Sequence, residues 1–76
     1  MEVDFILEDR MGQITGIEVK SSTTVEAKDF KGLRHLHDTE SNHFKNGIVL
    51  YAGREVLAFG RDLWAVPLSI WWAPTR

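Results

Sequence analysis

Residues 2–20 read EVDFILEDRMGQITGIEVK, and the fold turns on how this stretch pairs with itself. Strand side chains alternate between two faces. On the first arm Val3, Phe5 and Leu7 share one side; Glu2, Asp4, Ile6 and Glu8 share the other. On the second arm Thr15, Ile17 and Val19 fall on one side, Glu18 and Lys20 on the other. Between the arms lies Asp9-Arg10-Met11-Gly12. An acid and a glycine are residue types that reverse a chain. The stretch is therefore predicted to be a β-hairpin. Pairing symmetric about Met11 sets Asp4 opposite Glu18 and Glu2 opposite Lys20. A slip of one residue would turn the whole apolar set to the wrong face. Ile6 and Ile14 make the acidic face partly apolar too, so the hairpin is expected to be covered on both sides.

Downstream, Ser21 to Thr24 is a polar run that reads as a loop. Thr23 with Glu26 three residues later is a capping-box pattern, and a helix is predicted from about Val25 to Asp38. Its Ala27, Phe30, Leu33 and Leu36 or His37 recur at helical spacing and should face the sheet. Gly32 interrupts it at a cost of about 1 kcal/mol relative to Ala, which points to a close approach to the sheet. Thr39 to Asn46 is polar and reads as loop. Gly47-Ile48-Val49-Leu50-Tyr51-Ala52 is a continuous apolar run, the signature of a strand buried on both faces. Strand, helix, strand across Ile14 to Ala52 makes a crossover unit, so the two strands should be parallel. Turns at Gly53-Arg54 and Gly60-Arg61-Asp62 bracket a strand at Glu55 to Phe59 and lead into another at Leu63 to Val66. Pro67 suits the first position of a short final helix through Trp72. The predicted fold class is α/β: a mixed sheet with an N-terminal hairpin, one long crossover helix and one short C-terminal helix.

The chain has 76 residues and reads as a single domain, residues 1–76. A domain of this size buries only about 60% of its unfolded surface, so its core is marginal. It contains no cysteine, which removes disulfides and Cys-based zinc sites and fits a reducing, cytoplasmic compartment. No segment is long and apolar enough for a membrane span, and no signal-peptide pattern is present. The formal charge is −2, so there is no global attraction to nucleic acid. His35 and His37 stand two apart on the predicted helix and do not share a face.

An acid on one strand and an acid-x-Lys triplet on the next is the layout of metal-dependent phosphodiesterases. Here Asp4 supplies the first acid, and Glu18-Val19-Lys20 supplies the triplet. Asp4 and Glu18, with the Val19 carbonyl, are the candidate ligands of a Mg²⁺ ion, which takes hard oxygen donors and keeps several waters. Such an ion lowers the pKa of a bound water; Lys20 would orient that water or neutralise developing charge. Lys28, Lys31 and Arg34 recur at steps of three and are the candidate DNA phosphate contacts, although Glu26, Asp29 and Asp38 beside them favour a solvated face. Trp64, Trp71 and Trp72 gather after the last charged stretch. Trp71 and Trp72 are adjacent and cannot easily both point inward, so they are the candidate partner-binding pair.

The blocks EVDFILE at residues 2–8, GIEVKSS at 16–22, DFKGLR at 29–34 and GIVLYAG at 47–53, closing on AVPLSIW at 65–71, occur in order with compatible spacing. Together they resemble the C-terminal domain of unknown function attached to AAA-type ATPases of bacteria and archaea. That domain is placed in the PD-(D/E)XK nuclease-like superfamily, with a restriction-endonuclease-like core. The resemblance implies that Asp4 is the superfamily's central acid and that Glu18 and Lys20 are its acid-x-Lys pair. It also implies an ATPase module, a helix and a strand ahead of the first block. The present sequence starts directly in front of that block, so it reads as a truncated C-terminal piece. The expectation is a vestigial or association module of an ATPase family, inactive alone, acting as a homodimer or on an ATPase-containing chain. The alternative is a Mg²⁺-dependent DNA endonuclease that completes its site by oligomerising.

Overall fold

The computed structural model describes residues 3–72, with side chains for residues 3–70. Its elements are β1 (Phe5–Glu8), β2 (Ile14–Lys20), a 3-10 turn (Ala27–Phe30), α1 (Lys31–Thr39), β3 (Phe44–Tyr51), β4 (Leu57–Gly60), β5 (Leu63–Pro67) and α2 (Leu68–Trp72). The strands form one five-stranded sheet in the order β1-β2-β3-β5-β4. β2, β3 and β5 are parallel, and β1 and β4 run antiparallel at the two edges. The fold is α/β with a mixed sheet, as the sequence pattern predicts.

The hairpin register is the one symmetric about Met11: Phe5 pairs with Ile17, Ile6 with Gly16, Leu7 with Thr15 and Glu8 with Ile14. The turn explains why. One oxygen of the Asp9 carboxylate accepts hydrogen bonds from the N–H of Met11 at 2.8 Å and of Gln13 at 3.0 Å. Gly12 adopts φ 82°, a left-handed value that favours glycine. The crossover is also as predicted, with β2 and β3 parallel and Glu18 beside Val49.

Several boundaries differ from expectation. The helix does not start at a Thr23 cap. Glu26 is the N-cap residue, and its N–H donates to Asp29 at 2.7 Å. A carboxylate three residues past Glu26 serves that N–H directly, which moves the entry of the helical segment to Glu26. The first turn is 3-10, and the α-helix proper begins at Lys31. Pro67 closes β5 beside Tyr51 and does not open α2. Glu2, expected opposite Lys20, lies outside the described residues.

Directly paired residues share a face of the sheet. Gly16, Gly47 and Leu63 lie on the face that α1 covers, as do Val49 and Ala65. These residues meet Phe30, Leu33, Leu36, Phe44 and Tyr51 in one buried cluster. Two glycines of the sheet, Gly16 and Gly47, make a close approach to the helix. A Cβ on Gly16 would sit 2.7 Å from Leu36 Cδ2; one on Gly47 would sit 2.8 Å from Leu63 Cδ2 and 3.2 Å from Leu33 Cβ. Helix and strand would have to separate to admit it. Gly47→Val is therefore expected to destabilise the fold by about 1–3 kcal/mol through overpacking. A lowered urea midpoint with an unchanged slope would register it.

The opposite face carries Phe5, Leu7, Ile17, Val19, Ile48, Leu50, Trp64 and Val66. Only Ile17 and Leu50 of this set are fully buried. The expectation that the hairpin is covered on both sides is not met. Phe5, Ile6 and Leu7 are 57%, 51% and 50% exposed. The reason is position: β1 is the outermost strand, Ile6 lies beyond α1, which packs on β2 and β3, and Phe5 and Leu7 stand on the face opposite α1.

Candidate functional site

The candidate constellation is built where β1 begins beside the end of β2. The paired ladder of the hairpin ends at Phe5 and Ile17. Beyond it the Asp4 side chain takes over: its Oδ2 accepts the Val19 N–H at 2.8 Å. An exposed carboxylate thus stands in for a strand carbonyl and is anchored to the middle residue of the Glu18-Val19-Lys20 triplet. Glu18 is half-buried on the face that α1 covers, two residues from Gly16. The Asp4–Val19 bond brings Asp4 beside the Glu18-Val19-Lys20 triplet, but Asp4 lies at a bend outside the paired ladder, and Val3 before it packs on the α1 side and not, as the alternation predicts, with Phe5 and Leu7.

Lys20 has a partner that sequence reasoning did not assign. Its Nζ lies 2.5 Å from Asp29 Oδ2, and the two side chains are 28% and 16% exposed. The same Asp29 oxygen receives the Glu26 N–H. The bond from Lys20, then that from the Glu26 backbone, holds the Asp29 carboxyl below its ordinary value, against the opposing effect of desolvation. The signal was present in the sequence: Asp29 follows Glu26 at capping-box spacing, and its helix must cross the face on which Lys20 stands.

Lys28, Lys31 and Arg34 do come together. They line one shallow depression on the solvent side of the helical segment, with Ala27, His35 and Asp38. Arg34 is also turned toward β4, where its Nη2 donates to the Phe59 carbonyl at 3.2 Å. The side chains of Trp71 and Trp72 lie outside the described residues. Trp64 stands 40% exposed on the outer face, with Val19 42% exposed on the same face. Among the described residues no group of three or more His, Cys, Asp or Glu side chains converges as a metal site. No helix among them is long and apolar enough to cross a membrane.

The sequence pattern of one family, the Domain of unknown function (DUF4143), matches residues 1–71. The chain belongs to that family. Its match takes in the hairpin, the crossover unit, the β4–β5 pair and α2 as far as Trp71. No curated protein and no solved structure matches the chain.

Proposed function

We propose that this DUF4143 domain is an association module built on a nuclease-like scaffold. One observation carries the reading: Phe5, Ile6 and Leu7 of the edge strand β1 are half-exposed, and Val19 and Trp64 are exposed on the outer face. Exposed apolar strands at an edge invite pairing, and native proteins ordinarily blunt them. The resemblance to the C-terminal domain of AAA-type ATPases supports a second copy or an ATPase-containing chain as the partner. The hairpin, crossover helix and parallel strand follow the order expected of a restriction-endonuclease-like core, which supports the nuclease-like ancestry. Sedimentation velocity of the chain alone, and mixed with an AAA-type ATPase chain from the same cell, tests the reading. A complex that Phe5→Ser with Leu7→Ser abolishes is the expected result. A monomer that binds neither would overturn it.

A second reading is favoured by the Asp4–Val19 bond: a Mg²⁺-dependent phosphodiesterase acting on DNA. The donor set fits Mg²⁺ in kind, since that ion takes one or two carboxylates and keeps waters for its remaining positions. Asp4 and Glu18 would hold it, with the Val19 carbonyl as a third protein donor. When bound, it would supply a water of lowered pKa and positive charge for the phosphate. The obstacle is Lys20, whose ammonium is engaged by Asp29 and would have to leave it to serve a water beside Glu18. Backbone NMR under Mg²⁺ or Mn²⁺ separates the two readings. Shifts confined to Asp4, Glu18, Val19 and Lys20, and lost in Glu18→Ala, are expected of a retained metal site. No localised shift up to millimolar metal would reject it.

A further inference from the structure

We draw no further inference here: the strongest candidate, the exposed apolar patch around Val19 and Trp64 on the sheet face opposite α1, carries nothing because nothing in the structure shows what covers it.

Discussion

Phe30→Ala is expected to lower the unfolding free energy by about 3–5 kcal/mol, the usual cost of truncating a fully buried phenylalanine. Phe30 has no exposed surface and lies in the cluster formed by Leu33, Leu36, Val49 and Ala65. Its ring stacks on that of Phe59 with centroids 4.8 Å apart. It also closes the 3-10 turn and supplies the N-cap position of α1, so the cavity would open where the helical segment changes geometry. Stabilities of roughly 0.05–0.15 kcal/mol per residue give about 4–11 kcal/mol for a chain of this length. The loss is thus a large share of the total, and the variant should be partly unfolded at ambient temperature. Urea denaturation followed by far-ultraviolet circular dichroism reads it directly. Phe59→Ala is the control. Phe59 is only half-buried on the edge strand β4, so it should cost clearly less. Equal losses would show that the stacked pair, and not burial under the helix, dominates this end of the core.

The parts of the fold legible in the sequence are those set by local chemistry. Asp9 and Gly12 specify the turn, the turn specifies the register, and the register brings Asp4 to the Glu18 strand. The unbroken run Ile48 to Tyr51 marks a strand in the middle of the sheet for the same kind of reason: both of its faces need cover. The misreadings share a cause as well. Whether Phe5, Ile6 and Leu7 are covered depends on what packs over the edge strand on each face of the sheet, and alternation along a strand carries no such information. The close contacts at Gly16 and Gly47 were not read from the sequence, because a glycine in a strand pattern does not say which helix side chain will cross it. Thr23 has the spacing of a cap, but the cap falls at Glu26, whose N–H is accepted by Asp29, and Asp29 also meets Lys20, nine residues away in sequence and adjacent in space. Half of the candidate site was therefore visible as a motif. The other half, the commitment of its lysine, is a tertiary fact.

That commitment makes Asp29→Asn the second change with a large expected effect. Asp29 accepts the Lys20 ammonium and the Glu26 N–H through one oxygen. Hydrogen bonds to charged groups contribute about 1.5–3 kcal/mol, and the partial exposure of Lys20 places the loss toward the lower end of that range. The effect should depend on pH in a definite direction. The folded-state pKa of Asp29 is lowered, so its contribution is complete above the unfolded carboxylate value near 4 and is lost as pH falls through the folded value. Wild-type stability should fall below about pH 4, and Asp29→Asn should lack that part of the slope. Lys20→Met provides the other arm of a double-mutant cycle. If the pair is a structural clamp, both single variants lose similar amounts at neutral pH and the double variant loses little more. If Lys20 instead serves a metal-bound water beside Glu18, then releasing it should matter more to the site than to the fold. Asp29→Asn would then sharpen the metal-dependent shifts at Glu18 and Lys20, whereas Lys20→Met would weaken them. Stability and metal response thus answer separate questions about one ammonium group, and a variant pair that moves the first without the second assigns Lys20 to the fold.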